Sequence, residues 1–163
     1  MEKLLILGAG QYGCVAREVA ASTNRFCQID FLDDNSPAAI GKLSECERYL
    51  GAYDCAFIAI GNPDVRAGYL DRLRGNVQLT PLISPMAYVS PSATLGEACI
   101  VEPMAAILAN ATVGAGCILS AGSVVNHNAS VGECCHVDCN ATVPARAQVP
   151  AHTKVTAGAV FEL

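Results

Sequence analysis

The sequence has no tryptophan, few aromatic residues and little charge: aromatic residues make up 6% and charged residues 15% of its 163 residues. Acidic residues outnumber basic ones, and the formal net charge is -5. Because nucleic acids and anionic membranes attract basic surfaces, we expect neither as a partner. No apolar run approaches the roughly 20 residues that a transmembrane helix needs. The start MEKLLILGAG is interrupted by glycine and predicts a first strand rather than a signal peptide.

The nine cysteines include no Cys-x-x-Cys pair, the spacing typical of a structural zinc site. Their odd number and the lack of a targeting segment predict reduced thiols in a cytoplasmic protein. The stretch NHNASVGECCHVDC (126–139) holds two of the three histidines and three of the cysteines, and it first suggests a metal site. The repeat described below explains most of these cysteines otherwise, so we expect no metal.

Residues 1–80 alternate between buried strands and helices, which predicts a small Rossmann-like parallel α/β sheet. The expected strands are 3–10, 27–34 and 55–62, and the expected helices are 13–22, 44–50 and 63–75. The last helix opens with proline and closes with glycine, as helices commonly do. The region is too small for a complete dinucleotide-binding domain, which needs two βαβαβ halves.

From residue 83 the sequence repeats every six residues, which predicts that 81–163 form a parallel β-helix of hexapeptides. The first position of every hexapeptide is apolar: Ile83, Val89, Leu95, Val101, Ile107, Val113, Leu119, Val125, Val131, Val137, Val143, Val149, Val155 and Phe161. Three hexapeptides should form one triangular coil of 18 residues, with the aliphatic side chains inside. Cys99, Cys117 and Cys135 are then stacked one coil apart as buried small residues. Cys134, Cys139 and His136 should point outward.

Three segments at the carboxyl ends of the predicted strands offer a ligand site, since ligands of such sheets bind at that edge. The segment GAGQYG contains Gly8, Gly10 and Gly13, which either hold a phosphate at the start of the helix or allow tight helix–strand packing. Asp33 and Asp34 follow the second strand, where an acid can hold a ribose or merely form an acidic turn. Gly61, Asn62 and Arg66 follow the third strand, and the arginine either meets a phosphate or lies on a solvated helix face.

The order of these motifs resembles the family of sialic acid O-acetyltransferases and UDP-4-amino-sugar N-acetyltransferases. The resemblance rests on LLILGAGQYGCVAREVA, FLDDN, FIAIGNPDVR, LISPMAYVSPSATLG and VVNHNASVGECCHVD, and covers nearly the whole chain. It implies a left-handed β-helix, which the hexapeptide period alone does not establish, preceded by a sugar-nucleotide domain. It also implies acetyl transfer from acetyl-CoA to a nucleotide-linked amino sugar or to sialic acid, in a homotrimer. The acceptor would then be held by all the residues of the three segments: Gly8, Gly10, Gly13, Asp33, Asp34, Gly61, Asn62 and Arg66.

The resemblance further assigns roles to the two histidines of the repeat. The family's base is the histidine of a His-acid pair, which corresponds to His127, and a histidine nine residues later, His136, meets the thioester region of acetyl-CoA. A histidine suits the base because its charge changes near neutral pH. Here Asn128 replaces the acid, and Ala145 stands where the family tends to place a glycine against the pantetheine. The solenoid is also expected to be one to two coils shorter than in the family.

Two other classes of protein remain open. The asparagine and the short solenoid favour a non-catalytic member that binds a sugar nucleotide or serves as an assembly subunit. A metal-dependent enzyme such as a γ-type carbonic anhydrase uses the same solenoid, but it needs three zinc histidines that this sequence does not clearly supply. We therefore predict an acetyltransferase for surface polysaccharide or glycan synthesis, with the non-catalytic binder as the alternative.

Overall fold

The structure, a computed structural model, describes residues 1–162, and its N-terminal part is a five-stranded parallel sheet. The elements are β1 (Glu2–Leu7), α1 (Gln11–Ser22), β2 (Phe26–Leu32), β3 (Ala39–Gly41), a 3-10 turn (Leu43–Glu45), α2 (Glu47–Leu50), β4 (Cys55–Ile58), α3 (Pro63–Leu73) and β5 (Gln78–Leu79). The strand order is β3-β2-β1-β4-β5, and every neighbouring pair is parallel. The predicted α/β sheet is thereby confirmed.

The apolar composition of β1 and β4 explains why they form the centre of the sheet. Residues 4–7 and Cys55–Ile58 are buried without alternation, as expected of parallel strands covered on both faces. Helix α3 begins at Pro63 because the Asn62 side chain accepts hydrogen bonds from the amides of Asp64 and Val65 at 3.0 and 3.1 Å. The sequence pattern does not predict the edge strands β3 and β5, because two or three residues carry too little periodicity.

The remainder of the chain is a left-handed parallel β-helix, as the resemblance implied. Its two-residue strands are β6 (Leu82–Ile83), β7 (Tyr88–Val89), β8 (Thr94–Leu95), β9 (Ile100–Val101), β10 (Ala106–Ile107), β11 (Thr112–Val113), β12 (Ile118–Leu119), β13 (Val124–Val125), β14 (Ser130–Val131), β15 (His136–Val137), β16 (Thr142–Val143), β17 (Gln148–Val149) and β18 (Lys154–Val155). Strands three apart pair in parallel, so Val125 aligns with Val143 and Ile118 with His136. The 18-residue coil is confirmed.

The corners of the solenoid depend on a residue with positive φ, a feature that the hexapeptide period does not reveal. The fourth position of most hexapeptides adopts it: Ala98, Met104, Asn110, Gly116, Gly122, Asn128, Cys134, Asn140, Arg146, His152 and Gly158. Asparagine tolerates this region better than most side chains. The conformation therefore gives Asn128, with φ of 58°, a structural reason for its identity besides any chemical one.

The sheet of β6, β9, β12, β15 and β18, here called the docking sheet, carries the N-terminal sheet domain. Its outward residues Leu82, Ile100 and Ile118 are buried in one cluster with Leu4 and Ile6 of β1. Burying one such side chain contributes about 1.5–3 kcal/mol, so these positions alone attach the two parts firmly. The next outward positions in the same column are His136 and Lys154, where the apolar contact ends.

The stacked cysteines behave as predicted, with one correction. Cys99, Cys117 and Cys135 are buried, and each thiol donates to a backbone carbonyl at 3.0 Å, those of Gly114, Gly132 and Pro150 respectively. Cys139 is exposed, as expected, but Cys134 is not. The prediction for Cys134 was wrong because α3 covers that corner: the side chain packs in a cluster with Leu70 and Leu73. Among residues 1–162 no helix is long and apolar enough to cross a membrane, and no cluster of ligating side chains could hold a metal ion.

Candidate active site

Arg66 joins the sheet domain to the solenoid. The prediction that its guanidinium is free to bind a phosphate is wrong. Its side chain is 1% exposed, although its charge would favour solvent. Its Nε donates to the Gly116 carbonyl at 2.7 Å, and one terminal nitrogen donates to that of Cys134, also at 2.7 Å. The other terminal nitrogen donates to the carbonyls of Ile60 and Gly61 at 2.6 and 2.9 Å. Four carbonyls thus occupy the guanidinium, so Arg66 is a structural clamp.

A cleft of about 250 Å³ lies where α3 meets the part of the solenoid next to β15 and β18. Its lining residues are Gly61, Pro63, Arg66, Cys134, His136, His152, Thr153 and Lys154. It brings Gly61, predicted to meet the acceptor, together with His136, predicted to meet acetyl-CoA. Besides Arg66 and His136, the lining residues include two basic groups, His152 and Lys154, and both have acidic partners. His152 Nδ1 lies 2.7 Å from Asp64 of α3, and Lys154 Nζ lies 2.9 Å from Asp138.

His136 stands half-buried at the inner side of this cleft, on the outward face of β15. Its Nε2 lies 3.0 Å from the Ser120 hydroxyl and 3.6 Å from an oxygen of Asp138. Burial lowers the pKa of His136 from its usual value, and the nearby Asp138 opposes that shift only in part. The ring is therefore neutral at physiological pH, when it can both donate and accept a hydrogen bond.

The glycine segment after β1 is shaped first by packing. Gly8 has φ of 105°, and a Cβ there would lie 2.6 Å from the Ala59 carbonyl, while one at Gly13 would lie 2.3 Å from that of Gly8. These contacts favour the packing alternative for both glycines. Gly10 is different, because it caps α1 without a side-chain acceptor and has open space around it. The amides that begin α1 are thus the part of this segment suited to an anionic group.

The two acids after β2 differ in availability. Asp33 accepts hydrogen bonds from the amides of Ala9, Asn35 and Ser36 at 2.8, 2.9 and 2.9 Å. These bonds, that of Ala9 above all, lower the pKa of Asp33. Asp33 therefore shapes the loop that any ligand would meet. Asp34 is exposed, and one oxygen accepts from the Leu43 amide at 3.2 Å, which leaves the other for a ligand. Asn62 has only its amide nitrogen to offer, since its oxygen caps α3.

His127 and Asn128 form an exposed pair at the corner between β13 and β14. The His127 Nδ1 lies 2.8 Å from the side-chain nitrogen of Asn128. When the amide nitrogen donates, the ring proton sits on Nε2, and Nε2 cannot act as a base. When the amide is turned, its oxygen accepts from Nδ1–H and Nε2 is free to take a proton. Asparagine allows both states, whereas a carboxylate allows only the second.

One chain does not bring all the predicted residues together. Ala145 stacks one coil beyond His127, as the pairing of Val125 with Val143 requires, and the His127 carbonyl accepts from the Arg146 amide at 3.2 Å. His136, however, belongs to a different side of the prism, because β14 and its sheet lie between the two histidines along the coil. Within one chain, His127 and His136 therefore lie on different sides of the prism.

Sequence reasoning missed several polar residues that are buried or half-buried but do not line the cleft. Glu102 and Ser120 are buried one coil apart at 8% and 5% exposure, and Asp138 continues their column. The Tyr12 hydroxyl is also buried, has no hydrogen-bond partner within residues 1–162, and has its pKa raised by that burial. Buried polar groups in a repeat of aliphatic and small residues are unusual. The 18-residue spacing of Glu102, Ser120 and Asp138 is the sequence feature from which this polar column could have been predicted.

Comparison with known sequence families agrees with both parts of the fold. Residues 3–73 match the PglD N-terminal domain, and residues 92–127 match the bacterial transferase hexapeptide family of six repeats. No curated protein sequence matches the chain significantly. The two family matches, in this order, confirm the resemblance stated from the sequence.

Solved structures agree over nearly the full length. The chain superposes on the acetyltransferase domain of PglB from Neisseria gonorrhoeae with a TM-score of 0.89 at 26% identity, covering 98% of this chain and 91% of that one. The same domain in complex with acetyl coenzyme A gives 0.83 at 25% identity, covering 98% and 90%. A histidine mutant of perosamine N-acetyltransferase from Caulobacter crescentus, in complex with CoA and GDP-perosamine, gives 0.82 at 24% identity, covering 98% and 88%, and shows the shared fold.

Proposed function

We propose that this chain, a PglD-type N-terminal domain followed by a hexapeptide β-helix, is an acetyltransferase that moves an acetyl group from acetyl-CoA to the amine of a nucleotide-linked sugar. The observation that carries the proposal is the continuous match to an acetyltransferase domain, at a TM-score of 0.89 over 98% of the chain. A match to the solenoid alone would leave the acceptor open, because this fold supports several chemistries. The perosamine N-acetyltransferase with the same fold binds GDP-perosamine, which supports a nucleotide-linked sugar over sialic acid.

The chemistry assigned to the site is direct transfer. The sugar nitrogen attacks the thioester carbon, the carbon–sulfur bond breaks, and CoA leaves as its thiolate. His127 Nε2 removes the proton that the nitrogen must lose, provided that the Asn128 oxygen faces Nδ1. His136 and Ala145 contribute to the coenzyme site, while Asp34 and the amides after Gly10 hold the acceptor nucleotide. Gly61 lines the cleft, and Asn62 follows it directly in the chain.

We further propose a homotrimer, because one chain leaves His127 on an exposed corner with no wall opposite it. A neighbouring solenoid packed against that corner would supply its own His136 or sheet domain as the second wall. The nine cysteines are all free thiols, which suits a cytoplasmic location. Sedimentation velocity tests the assembly: a trimer is expected, and a monomer at the concentrations where transfer occurs would contradict it.

Calorimetric titration with acetyl-CoA, and separately with UDP, tests the proposed function. We expect acetyl-CoA to bind at about one molecule per subunit. UDP binding without any acetyl-CoA binding would contradict the proposal and support the non-catalytic sugar-nucleotide binder that Asn128 favours. The control is Arg48→Met, an exposed position whose ion pair with Glu45 lies on a surface turn and contributes little.

Where acetyl-CoA binds, the acceptor is identified by offering a UDP-4-amino sugar, a GDP-4-amino sugar and free sialic acid and following the release of CoA thiol. The amine of a nucleotide-linked sugar should be acetylated, and sialic acid should not. Acetylation of sialic acid alone would mean that the N-terminal domain does not select a nucleotide. His127→Ala should reduce kcat about 10²–10⁴-fold. Because the side chain makes no buried contact within its own chain, the fold of that chain should keep its free energy of unfolding within about 0.5 kcal/mol.

A further inference from the structure

We propose that Glu102 is a positioning residue for His136: through the Ser120 hydroxyl it keeps the ring proton on Nε2 and leaves Nδ1 as the nitrogen that meets a ligand. The proposal deepens the proposed function and depends on it only in assigning His136 to the ligand cleft. The three residues come from successive coils at the same side of the solenoid, Glu102 after β9, Ser120 after β12 and His136 in β15.

The contacts form one connected path. His136 Nε2 lies 3.0 Å from the Ser120 oxygen, and that oxygen lies 3.4 Å from one carboxylate oxygen of Glu102. The other carboxylate oxygen accepts from the Ala121 amide at 3.1 Å. Glu102 is 8% exposed and Ser120 is 5% exposed, so water does not compete freely at either group. The Ala121 bond anchors the carboxylate and so determines which oxygen is left for Ser120.

The position of the ring proton follows from counting donors. Burial raises the pKa of Glu102, so the count applies to its ionised form, which is favoured at alkaline pH. An ionised carboxylate only accepts hydrogen bonds, so in that form the single Ser120 proton must point to Glu102. The Ser120 oxygen can then only accept from His136, and the ring proton must sit on Nε2. If Glu102 were replaced by an amide, the Ala121 amide would still require the side-chain oxygen. The amide nitrogen would then face Ser120 and donate, and the Ser120 proton would turn to His136.

This arrangement sets what kind of ligand atom His136 can meet. With Nε2 engaged, the neutral ring presents Nδ1, which is an acceptor. A ligand must then offer an N–H or O–H, such as an amide of the pantetheine arm or the acceptor amine, and not a carbonyl oxygen. The charged groups near the ring are Asp138, which has an oxygen 3.6 Å from Nε2, its ion-pair partner Lys154, and Arg66. None of these three contacts the Ser120 hydroxyl through a hydrogen bond within residues 1–162.

The test is a long-range proton–nitrogen correlation spectrum of the ¹⁵N-labelled full chain at about pH 8, where a histidine ring is neutral. Three histidines make assignment by single substitution practical. In the wild type the His136 proton should be on Nε2. Glu102→Gln should move it to Nδ1, and Glu102→Asp should keep it on Nε2. A proton on Nδ1 in the wild type, or no change in Glu102→Gln, would overturn the proposal.

A matched control and a ligand measurement separate this proposal from the proposed function. Glu97→Gln makes the same change at a solenoid carboxylate that binds Arg74 instead, and it should leave the His136 spectrum unchanged. Glu102→Gln should weaken acetyl-CoA binding about tenfold, the loss expected for one hydrogen bond. If the wild type shows the expected proton position but binds no acetyl-CoA, the proposed function fails and the positioning role stands. If acetyl-CoA binds equally to both proteins, the ligand assignment of Nδ1 fails.

Discussion

Arg66 gives the sharpest test of how the two parts of this protein are joined. The substitution Arg66→Met keeps most of the side-chain length and its apolar stem but removes all four hydrogen bonds to backbone carbonyls. Two of these carbonyls, those of Gly116 and Cys134, belong to the solenoid, and the bonds to them are the ones within fully buried surroundings. The carbonyls of Ile60 and Gly61 lie nearer solvent and can recover water.

The magnitude follows from the two buried carbonyls. Each buried acceptor left without a partner costs about 1–3 kcal/mol, so the pair should cost about 4 kcal/mol. For a domain of this size, 1 kcal/mol lowers Tm by about 2–4 °C, which predicts a fall of about 8–16 °C. Arg66→Lys should recover only part of the loss, because an ammonium group has three donors on one atom and cannot span carbonyls from two coils and a loop.

Differential scanning calorimetry of the variant and the wild type measures the effect. The control is Arg72→Met on the same helix, whose guanidinium is 40% exposed and binds Glu47 and the Ser44 carbonyl at the surface. That change should cost at most about 1 kcal/mol. Equal Tm values for Arg66→Met and Arg72→Met would refute the clamp and would imply that the apolar contacts of the docking sheet suffice.

Three further outcomes are expected. Asn128→Asp should raise kcat about tenfold, since a carboxylate permits only the tautomer in which His127 Nε2 is free; an unchanged kcat would show that the Asn128 oxygen already faces the ring. A thiol reagent should label only Cys14, Cys27 and Cys139 in the native protein and all nine cysteines after unfolding, because the other six are buried; rapid native labelling of a fourth would contradict that packing. Asp33→Asn should destabilise the protein by about 1 kcal/mol at neutral pH. The pKa of Asp33 is lower in the folded than in the unfolded protein. The stability that its carboxylate contributes is therefore present above the unfolded pKa of about 3.9 and is lost as pH falls through the folded pKa. Urea unfolding should accordingly find no difference in the free energy of unfolding between the two proteins at the most acidic pH.

The sequence predicts the solenoid well because its period is strict and local. An aliphatic residue every six positions predicts both where each strand lies and that its side chain points inward. The stacking of Cys99, Cys117 and Cys135 follows from the same period. The packing of the sheet domain on the solenoid, in contrast, depends on residues far apart in the sequence. Ile100 and Ile118 point outward from the repeat, and they are apolar because β1 and α1 pack against them.

The candidate site was predicted less completely for a related reason. Side chains such as Arg66 and Cys134 take their roles from the other part of the chain, and no window of sequence contains both partners. The same holds for His152, which meets Asp64 across 88 positions. The glycine segment was ambiguous at the sequence level, and the structure resolves it by steric contact at Gly8 and Gly13 but leaves Gly10 open.

Acetyl transfer by this protein should depend on His127. The most direct measurement is mass spectrometry of a UDP-4-amino sugar after incubation with acetyl-CoA and either the wild-type protein or His127→Ala. We expect a product heavier by one acetyl group with the wild type and a rate reduced about 10²–10⁴-fold with the variant. Equal rates for the two proteins would contradict the role of His127. No product with a folded wild type that binds both ligands would contradict the enzyme itself.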